Sequence, residues 1–271
     1  MKRTIILLLA LLASATSAAY EVREVTIPSK GMARAHQATV VLSDSYAESG
    51  QRYPVTYALH GWSGAHSNWT DKTAIEQQAD RLQMILVMPD GAYDKWYVDS
   101  PVQRDFRYRT YIGREVVDFI DSHFRTIAAK GQRAITGLSM GGFGALNIAL
   151  NTPDTFGAVG SISGAVGPRG HSSKFGLTDV FGDPQKNAAF WDRKTIANNA
   201  AALKASGMAI TLDCGSDDFL IEANRQLHRT LLQAGVRHDY TERPGGHSWP
   251  YWDNAIDYQL LFFSRFFDGN K

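Results

Sequence analysis

The pentapeptide Gly-Leu-Ser-Met-Gly at positions 137–141 holds the serine that is best suited to nucleophilic chemistry. The segment 133–136 reads as a short buried strand before it, and apolar residues at helical spacing follow it. The order of strand, G-x-S-x-G and helix is typical of a sharp turn that exposes a serine hydroxyl. Glycines suit positions 137 and 141 because a side chain there would collide with neighbouring backbone. The segment therefore predicts a nucleophile, Ser139.

A serine hydroxyl becomes a strong nucleophile when a base, usually a histidine held by a carboxylate, takes its proton. Of the eight histidines, His247 follows a late predicted strand inside a Gly-Gly loop. His123 and His228 fall within predicted helices, which favours ordinary packed or surface roles. His60 precedes a glycine-rich loop that it could hold in shape, and no metal-binding spacing such as H-E-x-x-H is present. The sequence predicts His247 as the base and no metal site.

The acid should follow the predicted strand at 208–212, where Asp213, Asp217 and Asp218 occur. Asp213 would still lie in or beside the strand. Either of the other two could instead cap the next helix, because an aspartate there accepts unpaired backbone N–H groups. The residues alone leave the choice between Asp217 and Asp218 open.

The reaction of a serine with a carbonyl also needs backbone donors for the oxyanion that forms. By the motif, the N–H of Met140 supplies one donor. The second should come from the loop after the predicted strand at 55–59, where the N–H of Gly61 or Trp62 can face the same pocket.

Alternating strands and helices must position these side chains. Two strands in 20–43 read as antiparallel edge strands, and an amphipathic helix ends the chain. This alternation predicts an α/β fold with a mostly parallel central sheet and helices on both faces, and reactive groups of such folds gather at the carboxyl ends of the strands. Further strands are predicted at 55–59, 84–88, 133–136, 158–162, 208–212 and 238–243, and helices at 71–81 and 110–124, after Ser139, and from about 220 to the C-cap Gly235.

The segment 164–193 contains glycines and prolines, several charged residues and no long periodic stretch, which is typical of a functional loop. A polar segment at this place suits a polar alcohol better than a fatty acyl tail. Trp62, Trp96 and Trp249 lie near the predicted catalytic edge, where they could shape a short pocket, stack on a ring or simply pack. Trp96 and Trp249 are candidate substrate-binding residues.

Residues 1–19 have the basic start, apolar run and small terminal residues of a secretory signal peptide, which leaves 20–271 as a single domain. The formal net charge of +1 provides no field to attract nucleic acid or an anionic membrane. We therefore expect a small neutral molecule as the partner. The single cysteine, Cys214, cannot form an internal disulfide and is expected to be buried.

Four motifs together resemble the esterase D-like branch of the α/β-hydrolases, which includes tributyrin and acetyl esterases and feruloyl esterases. They are Leu-His-Gly-Trp-Ser-Gly at 59–64, the segment at 137–142, Cys-Gly-Ser-Asp-Asp-Phe at 214–219 and Gly-Gly-His-Ser-Trp at 245–249. The resemblance implies the α/β-hydrolase fold and no cofactor. It assigns Ser139, Asp218 and His247 as the catalytic triad, and Trp62 and Met140 as oxyanion donors.

These features predict a secreted or periplasmic serine carboxylesterase that hydrolyses short acyl esters, acetyl to butyryl, through an acyl-enzyme on Ser139. The alternatives are a feruloyl or acetyl-xylan type esterase on plant polysaccharide, a thioesterase like S-formylglutathione hydrolase, an acyltransferase and a non-catalytic carbohydrate-binding relative. The predicted signal peptide disfavours the glutathione thioester, which is cytosolic.

Overall fold

The centre of the sheet consists of short strands that are buried along their whole length, Val55–Leu59, Ile85–Pro89, Arg133–Gly137 and Ala158–Ile162. Strands of this kind are covered on both faces, so they show no alternation of apolar and polar residues. The computed structural model describes residues 20–270, which contain one sheet of eight strands. In chain order they are β1 (Tyr20–Ser29), β2 (Arg34–Ser43), β3 (Val55–Leu59), β4 (Ile85–Pro89), β5 (Arg133–Gly137), β6 (Ala158–Ile162), β7 (Ala209–Gly215) and β8 (Asp239–Arg243).

The strands lie in the order β1-β2-β4-β3-β5-β6-β7-β8. β1 pairs antiparallel with β2 and β2 antiparallel with β4, whereas the strands from β4 to β8 run parallel. The predicted fold class is confirmed, although β1 alone of the two expected edge strands lies at the edge. Since the strands run in one direction, the loops after β3, β5, β7 and β8 meet along the same side of the sheet.

Helices cover both faces of this sheet. α2, α3 and α11 pack on one face, and α1 and α4 to α10 contribute to the core on the other. The α-helices are α1 (Ser45–Glu48), α2 (Asn68–Lys72), α3 (Ile75–Arg81), α4 (Tyr108–Thr110), α5 (Val117–His123), α6 (Met140–Asn151), α7 (Leu177–Phe181), α8 (Ala188–Lys194), α9 (Ala200–Ser206), α10 (Ile221–Gln233) and α11 (Trp249–Asp268). A π-helical turn covers Tyr111–Val116, and 3₁₀ turns cover Lys130–Gln132, Pro168–His171 and Ile196–Asn199.

The single helix predicted at 71–81 is instead two helices, α2 and α3, that meet at Thr73. Thr73 has an extended backbone with φ −141°. Its hydroxyl donates to the carbonyl of Trp69 and accepts the N–H of Ile75 at 3.2 Å. The Thr73 hydroxyl thus bonds to a carbonyl near the end of α2 and to the first N–H of α3. Such side-chain bonds to the backbone compete with helical hydrogen bonds, so α2 ends here and α3 begins.

The helix predicted at 110–124 contains the π-helical turn between α4 and α5. Gly113 lies in this turn, where an added Cβ would come within 3.0 Å of Thr152 Cγ2 and 3.1 Å of Ile148 Cγ2 of α6. The π-helical turn therefore packs so closely against the C-terminal end of α6 that position 113 favours a residue without a Cβ. Apolar spacing alone does not distinguish a π-helical turn from an α-helical one.

Cys214 lies in β7 and is fully buried, as expected. Burial raises the pKa of its thiol well above the ordinary range. Among residues 20–270, no helix is both long and apolar enough to cross a bilayer. The predicted signal peptide at 1–19 lies outside the described residues.

Candidate active site

Ser139 lies in the turn between β5 and α6 with φ 55°, a value that side-chain-bearing residues rarely adopt. Its N–H donates to the carbonyl of Ile162 at 2.9 Å, and its carbonyl accepts the N–H of Ala165 at 3.1 Å. An added Cβ at Gly141 would lie 2.5 Å from the carbonyl oxygen of Leu59, and one at Gly137 would lie 2.6 Å from the backbone of Gly141. The expected need for glycine at both positions is confirmed.

His247 lies in the loop between β8 and α11, next to the serine. Its Nε2 is 2.9 Å from Oγ of Ser139, and its Nδ1 is 2.8 Å from Oδ2 of Asp218. Because the carboxylate can only accept, Nδ1 carries the proton and Nε2 is left to accept the serine hydroxyl. The structure thus brings His247 together with Ser139, which is 108 positions away in the sequence, and with Asp218, which is 29 positions away.

The Asp218 side chain is completely shielded from solvent. Burial alone would raise the pKa of its carboxyl, but the hydrogen bonds from His247 and from the N–H of Leu220 outweigh that effect and hold the pKa below the usual value. Asp218 is therefore ionised, and it can stabilise an imidazolium on His247. Asp217, the other candidate acid, is exposed, and the carboxylate that bonds to Nδ1 of His247 is that of Asp218.

The loop after β3 carries Gly61 and Trp62 to the same place. Both line the cleft around Ser139. Within residues 20–270, the N–H groups of Gly61, Trp62 and Met140 donate to no backbone carbonyl, whereas those of Ser63, Gly64 and Gly141 are paired. Unpaired N–H groups beside a serine hydroxyl can bind the oxyanion of a tetrahedral intermediate.

His60 holds this loop in shape. Its Nδ1 donates to the carbonyl of Gly61 at 2.8 Å, and its Nε2 accepts the N–H of Gly91 at 2.9 Å. The hydroxyl of Tyr97 donates to the carbonyl of His60 at 3.0 Å. With both ring nitrogens occupied, His60 links the loops after β3 and β4. In the described part of the chain, no cluster of three or more His, Cys, Asp or Glu residues could hold a metal.

Two aromatic rings enclose His247, which the sequence did not indicate. The ring of Phe219 is 4.6 Å from the imidazole centroid, and the ring of Trp252 is 4.9 Å away and nearly perpendicular. Phe219 follows the acid in the 214–219 motif, which was the available signal for its position. Trp252 belongs to the apolar face of α11, where packing alone would explain it.

A cleft of about 830 Å³ opens over Ser139 and His247. Both predicted substrate-binding residues, Trp96 and Trp249, line it. Trp96 is only 3% exposed, and its Nε1–H donates to the carbonyl of Phe175 at 2.9 Å. Its main contact is therefore with segment 164–193, and little of its ring is open to the cleft. A second cavity of about 900 Å³ lies at the amino ends of β7 and β8 and contains none of the predicted site residues.

Comparison with known proteins gives a family match over most of the chain. A family model described as "Putative esterase" matches residues 29–263. An acetyl esterase of Caldicellulosiruptor saccharolyticus is 28% identical over 226 residues, which cover 78% of this chain and 84% of that protein. Esterase Rv1288 of Mycobacterium tuberculosis is 29% identical over 238 residues, covering 77% of this chain but only 51% of the longer relative.

Solved structures agree with this match. A ferulic acid esterase superposes with a TM-score of 0.77 and 28% sequence identity, covering 92% of this chain and 98% of that structure. The family match at residues 29–263 includes β2 to β8 and the loops that carry Ser139, Asp218 and His247.

Proposed function

This chain belongs to the esterase family, and from that premise we propose that it is a secreted serine carboxylesterase that hydrolyses short acyl esters through an acyl-enzyme on Ser139. The family and its relatives make it a hydrolase of carboxylic esters. The observation that carries the assignment of residues is the continuous pair of hydrogen bonds from Ser139 through His247 to Asp218.

The first step is attack of Ser139 Oγ on the ester carbonyl. Nε2 of His247, 2.9 Å away, takes the hydroxyl proton as the bond to carbon forms. The imidazolium then donates that proton to the departing alcohol, while Asp218 stabilises its charge through Nδ1–H. A water molecule, activated by the same histidine, hydrolyses the acyl-enzyme and restores Ser139.

The oxyanion of each tetrahedral intermediate would be bound by the N–H groups of Trp62 and Met140. Neither N–H is paired with a backbone carbonyl in residues 20–270, so neither must break a backbone bond to act. Donors that are already oriented stabilise developing charge without reorganisation, and losing one costs about 10²–10³ in turnover.

A preference for acetyl to butyryl groups is supported by the surroundings of the cleft. Segment 164–193 contributes His171 and Phe175 to its lining and folds into short helices and turns that carry exposed charged residues. It does not form a long apolar lid. The acetyl esterase relative is consistent with this preference.

Hydroxycinnamoyl esters are a second candidate, favoured by the aromatic rim of the cleft. Trp62 and Phe219 are 38% and 58% exposed, which is unusual for large apolar side chains and provides faces for a planar ring. The similar solved structure named as a ferulic acid esterase supports this candidate.

A chain-length series tests the proposal. We expect kcat/KM on p-nitrophenyl esters to peak between acetyl and butyryl and to fall beyond, since each methylene that fits a pocket is worth about 1–3 kcal/mol. Methyl ferulate and methyl acetate, assayed in parallel, separate the two candidates. A value that rises steadily to palmitate would contradict the short pocket, and a purified protein inactive on every ester would overturn the proposed function.

Export is tested separately. If residues 1–19 are a cleaved signal peptide, the protein purified from its native host begins at Tyr20, the first residue of β1. N-terminal sequencing and fractionation measure this. An intact Met1 on protein from the cytosol would refute export and favour a cytosolic thioester substrate.

A further inference from the structure

Asp213 is a buried acid that the reaction does not use. It lies in β7, is 3% exposed, and both carboxylate oxygens are occupied. Oδ1 accepts the hydroxyl of Tyr251 at 2.6 Å, and Oδ2 accepts Nη2 of Arg243. Burial raises the pKa of this carboxyl against the opposing effects of Tyr251 and Arg243. A charged group in such a place is normally retained only where its partners make specific contacts.

The two partners of Asp213 stand at the two ends of the loop that carries His247. Arg243 is the last residue of β8, and Tyr251 lies in the first turn of α11. The loop of five residues, 244–248, is therefore fastened to one carboxylate at both ends.

The same region joins the loop of the base to the loop of the acid. The N–H of Ser216 donates to the carbonyl of Arg243 at 2.9 Å, and the N–H of Asp217 donates to the carbonyl of Gly245 at 2.9 Å. The Tyr251 ring covers Gly245, where an added Cβ would come within 2.7 Å of Cδ2 of that ring. Asp218 follows directly, so a shift of the loop would change its distance to His247.

We propose that Asp213, Arg243 and Tyr251 are positioning residues that set the His247 imidazole at hydrogen-bonding distance from both Ser139 and Asp218. None of the three bonds to His247 in the described structure, so they act through the loop and not on the reacting atoms. The inference rests on the proposed function, because it presumes that His247 is the base.

Tyr251→Phe removes the hydroxyl bond to Asp213 and keeps the ring that packs on Gly245. Tyr258→Phe is a matched control on the same helix, since Tyr258 is 56% exposed and its ring lies 4.4 Å from the guanidinium of the same Arg243, without a bond to Asp213. Turnover of p-nitrophenyl acetate, its pH profile and the melting temperature are measured for both.

We expect Tyr251→Phe to lower kcat about tenfold with KM within about twofold, since small misplacement of a catalytic group can cost up to about 10² in rate. The acid limb of its kcat/KM profile should move to lower pH, because the imidazolium loses part of its hydrogen bond to Asp218. Tyr258→Phe should match the wild type in all three measurements. A purely structural role of Tyr251 would lower the melting temperature and leave kcat and the pH profile unchanged.

Asp213→Asn is the second variant. If Tyr251→Phe does not fold, the kcat, pH profile and melting temperature of Asp213→Asn test the inference in its place. Because the two side chains share one bond, the loss of kcat in the double variant should be smaller than the product of the single losses. A wild type that hydrolyses esters together with a Tyr251→Phe variant of unchanged kcat and pH profile overturns this inference alone. A wild type inactive on every ester overturns the proposed function instead.

Discussion

At the scale of single residues, Ser139 is held in a backbone conformation that is unfavourable for a residue with a Cβ. A φ of 55° with ψ −115° is costly for any residue with a Cβ, by about 1–3 kcal/mol. The backbone bonds to Ile162 and Ala165 impose it, and the strain directs Oγ toward His247. The position therefore favours function at the expense of stability.

Two substitutions at Ser139 separate these effects. Ser139→Ala and Ser139→Gly should both lose on the order of 10⁶ in turnover, because neither has a nucleophile. Ser139→Gly should nevertheless have the higher free energy of unfolding of the two, by about 1 kcal/mol, because glycine adopts positive φ without strain. Urea denaturation and ester hydrolysis measure the two quantities. A variant that retained a tenth of the rate would refute Ser139 as the nucleophile.

The two neighbouring aspartates give a second test. Asp218→Asn should lower turnover by roughly 10⁴, because an amide at this position leaves His247 in the wrong tautomer. Asp217→Asn should stay close to the wild type, since its side chain is exposed. Steady-state kinetics with p-nitrophenyl butyrate compare them, and a larger loss at Asp217 would reverse the assignment.

Two sequence motifs single out one serine and one histidine, Ser139 and His247, which lie 2.9 Å apart in the structure, but the residues alone do not choose between two aspartates. Asp217 and Asp218 are adjacent residues in the turn after β7. The backbone conformation of that turn decides which of the two carboxylates faces His247. The resemblance to a family favoured Asp218, and the structure places that carboxylate 2.8 Å from the imidazole. Asp213 was correctly assigned to the strand, but its bonds to Arg243 and Tyr251 join residues 30 and 38 positions away, a distance no local pattern covers.

At the scale of elements, glycines decide how closely the helix after Ser139 approaches the sheet. At Gly141 an added Cβ would lie 2.5 Å from the Leu59 carbonyl oxygen and 2.6 Å from that of His60. Both are backbone atoms of β3 and the loop that follows it, so neither can move aside like a side chain. The strand and α6 would have to separate, which would also shift Met140.

Gly141→Ala should therefore lower the free energy of unfolding by about 2 kcal/mol or more and reduce turnover at the same time. Gly170→Ala is the control, because an added Cβ there meets nothing within 4 Å and its φ is not positive. Thermal melts and ester hydrolysis compare the variants. A Gly141→Ala protein as stable as the control would contradict the close packing of α6 on β3.

The strands from β3 to β8 were predictable because short runs rich in apolar and β-branched residues lie between turn signals, and all six occur close to their expected bounds. Helix interruptions were not, because they depend on contacts made by single side chains. Thr73 divides one expected helix through its hydroxyl, and Gly113 permits a π-helical turn against α6. Neither effect alters the apolar spacing on which the predictions were based.

At the scale of the whole molecule, one buried cation links stability to pH. Lys194 is 8% exposed, and its ammonium donates to Oδ1 of Asn147 at 2.7 Å. Burial, with Arg109 and Arg193 nearby, lowers its pKa from 10.5 to about 8. The folded protein thus releases this proton more readily than the unfolded chain does.

Between pH 8 and 10.5 the unfolded state binds more protons at Lys194 than the folded state, so this residue makes the free energy of unfolding rise with pH. Lys194→Gln removes this contribution to the pH dependence of the free energy of unfolding. All other titrating groups are shared by the two proteins, so the difference between the wild type and the variant reports on Lys194. We expect the wild type to gain up to about 3 kcal/mol over the variant between pH 7.5 and 10, measured by urea denaturation. A constant difference would show that the lysine titrates normally.

The burial of Cys214 has a practical consequence for observing the protein in motion. The chain has a single cysteine, and it is 0% exposed with a thiol whose pKa burial raises, so the nucleophilic thiolate is suppressed. A cysteine introduced at an exposed position, such as Ser173 in the segment beside the cleft, would then be the one thiol that takes a fluorophore or a spin label. Distances from that label to a second probe could follow the segment during turnover, in a protein whose native thiol never has to be removed.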